Sequence, residues 1–207
     1  MPLPARIVGA VQRGWEDGPV SEPHTHAPGP LADASVRTAR PTDAPAIGAV
    51  QATVFRAEYA EVLAQDVLDQ LEGPRFAQVW RRSLEQPPTT THRVLVACAG
   101  DQVVGFAALA PGADDDPAAP GQAGEILVLA VHPEARRQGH GSRLLNAVAD
   151  TLRAQDLAAV LAWVPATAEA TRGFLSLGGL DPDGAWRDRV VGSDEQTLRE
   201  VRVWAAL

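Results

Sequence analysis

The sequence predicts an α/β domain, and three observations carry that prediction. Residues 126–131 form an unbroken apolar run, which is typical of a strand buried on both faces of a sheet. A glycine-rich turn follows, and residues 142–153 then place apolar side chains every three or four positions, as in a helix with one buried face. Along the whole chain, the patterns give the order strand, two or three helices, three strands, helix, strand, helix and two strands.

The N-terminal region has a different composition from the rest of the chain. Residues 1–34 contain six prolines and four glycines, so we expect an arm, partly disordered, that precedes a single domain of residues 35–207. A short added strand at 7–11 is one alternative within this arm. His24 and His26 have the spacing of two metal ligands, but no cysteine or acidic partner completes a set, and exposed histidines are the favoured interpretation.

The first half of the domain is predicted to be mainly helical. A strand at 36–40 comes first, and Thr42 or Asp43 can cap the helix that follows it. Helical periodicity then continues from 58 to 71. Gly73-Pro74 breaks that pattern, and a further helix follows.

The second half of the domain is predicted to be mainly strands. A turn-forming glycine and aspartate join two apolar segments into a hairpin, and the chain closes with an antiparallel pair. The predicted elements around the central strand are the hairpin strands 93–99 and 102–109, a strand at 157–164, a helix at 167–177 and the closing strands 185–191 and 198–206.

The turn after the central strand has the sequence Arg-Arg-Gln-Gly-His-Gly, at residues 136–141. Two glycines one residue apart allow a ligand to approach the backbone closely. A helix begins there, so unpaired N–H groups and the positive end of the helix dipole point to one place. Two arginines add positive charge. The turn is therefore predicted to bind a pyrophosphate.

Two common phosphate-binding motifs are absent from this turn. A dinucleotide fingerprint needs a third glycine where Leu144 stands, and a P-loop needs a lysine, of which the chain has none. A nucleotide-binding protein of another fold is therefore a disfavoured alternative.

The turn resembles the [Q/R]-x-x-G-x-[G/A] loop of the GNAT superfamily of N-acetyltransferases. Glu125-Ile126 and residues 131–134 also resemble the family's strand that leads into the loop. The resemblance implies a mixed, mostly antiparallel sheet flanked by helices, in which the central strand splays from the next one and acetyl-CoA binds in the gap, without a metal. The cofactor-binding residues that it implies are Leu129, Ala130, Val131, Arg136, Arg137, Gln138, Gly139, His140, Gly141, Ser142, Thr167 and Phe174.

Acetyl transfer to an amine requires a group that accepts the amine's proton. Glu125 matches the family's position for a glutamate base. Strand alternation predicts that it shares a face with Leu127, Leu129 and Val131, whose apolar surroundings would raise its pKa. An ion-paired glutamate at a strand end is the structural alternative, and His132, whose imidazole titrates near pH 7, is the second candidate base.

One position departs from the family pattern. Many members carry a tyrosine that protonates the leaving thiolate, and the matching residue here is Phe174, while Thr167 replaces an asparagine. The threonine hydroxyl could bind the cofactor or cap the helix. The missing hydroxyl at Phe174 supports an alternative function, a non-catalytic acyl-CoA sensor on the same fold. Tyr59, the one tyrosine of the chain, is expected to be a core or rim aromatic residue.

Composition limits the partners. The net charge of −8 argues against non-specific binding to nucleic acid. The longest apolar run is too short to span a bilayer, which argues against a membrane protein. The single cysteine, Cys98, lies in an apolar run and fits a reducing cytoplasm. We expect a small-molecule or peptide amine as acceptor, and the resemblance allows a homodimer.

Overall fold

The fold is described from a computed structural model, for residues 34–60, 63–112, 123–191 and 196–207. The predicted strand at 7–11, both histidines of the arm and most of the arm itself lie outside these residues. No helix in the described part of the chain is both long enough and apolar enough to cross a membrane.

Seven strands form one mixed sheet in the order β1-β2-β3-β4-β5-β7-β6. All neighbouring strands are antiparallel except β4 and β5, which are parallel. The strands are β1 (Ala34–Thr38), β2 (Arg93–Ala99), β3 (Gln102–Pro111), β4 (Ala123–Val131), β5 (Ala159–Pro165), β6 (Asp181–Val191) and β7 (Gln196–Ala206). The predicted mixed, mostly antiparallel sheet is confirmed.

The parallel pair β4 and β5 is joined over only part of its length. Pairing runs from Ala123 opposite Ala159 to Ile126 opposite Ala162, and then stops, although β4 continues to Val131. The two strands therefore splay apart after Ile126 and leave a gap in the middle of the sheet, as the sequence resemblance implied.

Within the described residues, five α-helices cover the two faces of the sheet. They are α1 (Ala44–Tyr59), α2 (Gln65–Asp69), α3 (Gly73–Glu85), α4 (His140–Arg153) and α5 (Glu169–Leu177). Buried residues of α1 and α3 pack with one face of β2, β3 and β4, whereas α4 and α5 pack on the other face. Gly48 lets α1 and α3 approach closely, because a Cβ there would collide with the Gly73 carbonyl. Each face has its own apolar core.

The helix predicted across residues 58–71 does not form as one element. The first helix ends at Tyr59, and the short α2 begins at Gln65 after an extended Ala64. A helix of 16 residues is about 24 Å long at 1.5 Å per residue, close to the length of a seven-residue strand. The break lets Leu63, Leu68 and Leu71 pack against the core on the α1 and α3 side.

The predicted cap of α1 is also wrong in detail. Asp43 precedes the helix but makes no side-chain capping bond to it. Its carboxylate instead accepts two hydrogen bonds from the Arg37 guanidinium, at 2.7 and 2.8 Å, and one from the Arg40 amide at 2.7 Å. The aspartate therefore ties β1 to the turn before α1.

A β-bulge in β4 changes the predicted alternation of its side chains. The register against β3 shifts between Ala108 and Leu109, so Leu127 and Val128 both face the α1 and α3 side. Beyond the bulge, Leu129 and Val131 belong to the core under α4. Glu125 pairs with Ala110, a residue of the α1 and α3 core. The prediction that Glu125 shares a face with Leu129 and Val131 is therefore wrong.

Candidate active site

The turn that enters α4 exposes backbone amides, and its conformation is unusual. Gly139 occupies the cap position with φ = 80°, in the left-handed region that glycine adopts without strain. Arg137 also has a positive φ, 61°, which is uncommon for a residue with a side chain. The 14-residue helix that follows contributes the positive end of its dipole. This geometry suits an anionic ligand.

Side chains brace this turn from both sides. Gln138 Nε2 donates to the Glu134 carbonyl at 3.1 Å, and Arg143 Nη1 donates to the Gln138 carbonyl at 3.0 Å. A Cβ at Gly141 would lie 3.1 Å from Cζ of Phe174. Phe174 thus packs against the glycine turn, and a tyrosine there would direct its hydroxyl towards the turn. The sequence did not predict that Arg143 contacts the turn, because its position in the helix is the same as that of an ordinary exposed arginine.

The guanidinium of Arg136 points back to the strand end rather than over the turn. Its Nε donates to the Val131 carbonyl at 3.2 Å, and Nη2 lies 3.8 Å from the Glu58 carboxylate at the end of α1. Arg136 therefore links β4 to α1. Of the two arginines in the turn, only Arg137 has an exposed side chain.

Leu129, Ala130 and Val131, the strand residues expected to bind the cofactor, differ in the direction of their backbone N–H and C=O groups. The His132 amide donates to the Val104 carbonyl of β3, at 2.8 Å. Because backbone groups of successive strand residues point to opposite sides, Ala130 also points to β3, whereas Leu129 and Val131 point into the gap. The Arg136 hydrogen bond to the Val131 carbonyl agrees with this direction.

The two candidate bases lie at opposite ends of β4. Glu125 is near the end where the gap closes, and its side chain is 1% exposed. His132 follows the other end of β4, beside the glycine turn, and is partly exposed. Six residues lie between them, which separates them by roughly 20 Å. Only one of them can lie beside a group held at the closed end of the gap, and that residue is Glu125.

The remaining predicted residues differ in how far ligands can reach them. Ser142 and Thr167 are exposed, while His140 is 2% exposed. Nδ1 of His140 has no hydrogen-bond partner within the described residues, and burial, with a contribution from Arg143, lowers the pKa of its imidazole. Thr167 does not cap α5, because the cap residue is Ala168 and makes no side-chain bond.

Tyr59 belongs to the core, as expected from the sequence. It is buried, and its ring meets that of Phe55 edge to face at 5.8 Å between centroids. Burial raises the pKa of its phenol, and the nearby Glu58 carboxylate adds to that effect. Within the part of the chain that the structure describes, no three His, Cys, Asp or Glu side chains are grouped so that they could hold a metal ion.

A buried ionic cluster lies on β5, β6 and β7, and sequence reasoning missed it. Glu200 is 0% exposed. It accepts a hydrogen bond of 2.7 Å from Arg187 and forms an ion pair of 2.9 Å with Arg189. The Arg187 guanidinium stacks 4.2 Å from the centre of the Trp163 ring, and Arg202 lies on the same ring at 5.8 Å. These residues fix the strands on the β5 side of the gap. The alternation of charged and apolar residues in the sequences of β6 and β7 is the pattern that could have indicated this cluster.

Solved structures share this fold at low sequence identity. The PaiA N-acetyltransferase of Thermoplasma acidophilum, in complex with coenzyme A, has a TM-score of 0.60 at 14% identity, covering 81% of this chain and 98% of its own. A ribosomal-protein-alanine N-acetyltransferase of Brucella melitensis has a TM-score of 0.62 at 22% identity, covering 84% and 99%. YncA of Salmonella typhimurium, a putative acetyltransferase with acetyl-CoA, has a TM-score of 0.59 at 19% identity, covering 84% and 94%. No curated protein sequence matches the chain.

A splayed parallel pair with a glycine turn at its open end is the arrangement that the sequence resemblance implied for acetyl-CoA binding. The profile of the acetyltransferase (GNAT) family matches residues 58–178, more than half of the chain. The protein therefore belongs to the acetyltransferase (GNAT) family of enzymes, and the predicted resemblance is confirmed.

Proposed function

We propose that this protein transfers an acetyl group from acetyl-CoA to a primary amine of a small molecule or peptide. One observation carries the proposal: the gap between β4 and β5 runs from the glycine turn to Ile126, the residue next to Glu125. A cofactor whose pyrophosphate is bound at the turn would extend along this gap, with its thioester at the closed end. Structural relatives crystallised with coenzyme A and with acetyl-CoA support the choice of cofactor.

The cofactor would be held by backbone groups at two places. Amides of residues 137–142 would bind the pyrophosphate, with Arg137 supplying charge. The inward-pointing backbone of Leu129 and Val131 would hydrogen-bond the pantetheine amides. The Arg136 hydrogen bond to the Val131 carbonyl lies in the same gap, so the pantetheine would share or replace it.

In the reaction, the neutral amine attacks the thioester carbonyl, a C–N bond forms and the C–S bond breaks. The proton lost from nitrogen passes to the Glu125 carboxylate, directly or through one water, and the sulfur leaves as a thiolate. Phe174 has no proton to donate. A thiol has a pKa of about 8.5, so its thiolate leaves without an acid more readily than an alkoxide would.

We place the proposed reaction in a reducing compartment, the cytoplasm. The one cysteine of the chain, Cys98, is 3% exposed and has no disulfide partner. A buried thiol of this kind fits a reducing environment.

The central test is the replacement Glu125→Gln, which keeps the side chain's shape and removes the proton acceptor. Acetyl-CoA turnover with a panel of amines should fall about 10²-fold, with acetyl-CoA affinity within about twofold of the natural protein. Release of free thiol measures turnover, and calorimetry measures affinity. His132→Gln is the matched control and should leave turnover within about threefold.

Two outcomes would overturn this mechanism. Equal turnover in Glu125→Gln, or a large loss in His132→Gln, would remove Glu125 from the role of base. Tight acetyl-CoA binding by the natural protein without transfer to any amine would instead support the acyl-CoA sensor.

A further inference from the structure

A cavity lies under the C-terminal half of α3, on the sheet face that Glu125 shares. Its volume is about 380 Å³. Trp80 and Ser83 line it from the helix, Ala108 and Ala110 from β3, and Leu127 and Val128 from β4. The lining is mostly apolar, and the volume falls within the range of small-molecule pockets, roughly 300–1,000 Å³.

The bulge of β4 lies between this cavity and the closed end of the gap. Leu127 and Val128 are the first β4 residues beyond the pairing with β5, and both side chains face the cavity. Ala110, which lines the cavity from the adjacent strand β3, pairs with Glu125. A thioester at the closed end of the gap would therefore lie next to the cavity.

The surroundings leave a longer acyl chain one direction in which to extend. Straight ahead, the gap is closed by the pairing of Ile126 with Ala162. On the α4 side, Ile126, Leu129 and Leu152 belong to a packed core of fully buried side chains. On the α3 side lies the cavity. An acetyl group has a single methyl beyond its carbonyl, whereas the cavity has the volume of more than ten water molecules at about 30 Å³ each.

We propose that the α3 cavity binds the hydrocarbon chain of medium-length acyl-CoA thioesters, so that this enzyme accepts acyl groups longer than acetyl. The inference rests on the proposed cofactor site. The bond changes are unchanged: the amine nitrogen bonds to the acyl carbon, the C–S bond breaks, and the amine proton passes to Glu125. The hydrocarbon chain contributes to binding only through its burial in the cavity.

The experiment measures affinity rather than turnover. The full chain is titrated by calorimetry with acetyl-CoA, butanoyl-CoA and hexanoyl-CoA. Each methylene buried in an apolar site can contribute up to about a fourfold gain in affinity. Hexanoyl-CoA, with four more methylenes than acetyl-CoA, should bind at least tenfold more tightly.

Variants of α3 locate the effect. Ser83 lines the cavity and is partly exposed, so Ser83→Phe should fill the cavity and reduce the hexanoyl gain to less than about threefold, with acetyl-CoA affinity unchanged. Gln78→Phe adds the same ring to the exposed side of α3 and should keep the full gain. If Ser83→Phe does not fold, Ala108→Leu, which fills the cavity from the sheet, replaces it in the same measurement.

Each contrary result has a distinct meaning. If acetyl-CoA binds and hexanoyl-CoA binds no more tightly, the inference fails and the proposed function stands. If neither binds, the proposed cofactor site itself fails. If Ser83→Phe keeps the hexanoyl gain but loses transfer to an amine, the cavity holds the acceptor and the inference is wrong.

Discussion

Arg137 is the residue whose backbone is most unusual in the site. Its φ of 61° lies in the left-handed region, which costs a residue with a Cβ about 1–2 kcal/mol. Strain of this kind persists where the surroundings impose it, and ligand sites are common places for it. The side chain is exposed beside the start of α4. A substitution at Arg137 therefore tests both its backbone strain and its charge.

Replacing Arg137 by glycine should remove the strain together with the charge. We expect the free energy of unfolding to stay within about 1 kcal/mol of the natural protein, because relief of strain offsets the greater freedom of the unfolded chain. Affinity for coenzyme A should fall at least about threefold through loss of a charge-assisted contact. Urea unfolding and calorimetry measure the two quantities. Arg153→Ala, at the far end of α4, lowers the net charge equally and should leave affinity unchanged; an equal loss there would indicate long-range charge alone.

At the level of elements, the start of α4 is the proposed pyrophosphate site, and Gly141 is its most sensitive position. A Cβ there would already lie 3.1 Å from Phe174. Gly141→Glu should weaken binding of coenzyme A at least tenfold, ~1.4 kcal/mol, because the added carboxylate repels the pyrophosphate.

The control for charge is Gln78→Glu, on the exposed side of α3, which should bind coenzyme A normally. Thermal unfolding verifies that both variants fold. Normal binding by a folded Gly141→Glu protein would show that the cofactor's phosphates lie elsewhere.

The junction of β1 and α1 gives a prediction about pH. The Arg37 guanidinium, with the Arg40 amide, holds the pKa of Asp43 below its ordinary value of 3.8. Because the folded-state pKa is depressed, this contribution to stability is complete above about pH 4 and is lost as the pH falls through the folded pKa.

Asp43→Asn should therefore lower the free energy of unfolding at pH 7 by about 1–2 kcal/mol, since Arg37 is partly exposed and solvent screens part of the interaction. The difference from the natural protein should shrink as the pH is lowered from 5 to 3. Urea unfolding at several pH values measures it. Asp101→Asn, at the exposed hairpin tip, should show no such trend. A constant difference at all pH values would mean that the charge of Asp43 is not the cause.

For the whole molecule, the sheet carries two cores and the gap lies between the halves of the sheet. The glycine turn, the gap and Glu125 all lie C-terminal to β1, the first described strand, which starts at Ala34. A chain that begins at Ala34 should therefore remain soluble and bind coenzyme A with an affinity within about twofold of the full chain. Calorimetry and thermal unfolding measure this. Aggregation of the shortened chain would mean that the arm contributes structure, and the domain boundary would move towards the N-terminus.

Much of the architecture could be predicted because it is encoded locally. The hairpin of β2 and β3, the buried β4, the helix α4 and the closing pair each follow from the period of apolar residues and the position of glycine and proline. The strand and helix ends shifted by a few residues, as with β6, which starts at Asp181 rather than 185. Glycine spacing also located the turn at 136–141, since the conformation and the approach of a ligand both depend on having no side chain.

The sequence by itself determined the order of the elements, the glycine turn at the start of α4 and the family to which the chain is similar. Only the tertiary structure decided where α1 ends, that Asp43 pairs with Arg37, and that the bulge turns Leu127 and Val128 to one face. It also decided that Arg136 points to Val131, and that a cavity lies between α3 and strands β3 and β4. The physical reason is the same for each: these features depend on contacts between segments distant in the chain, whose free energies no local pattern of residues expresses.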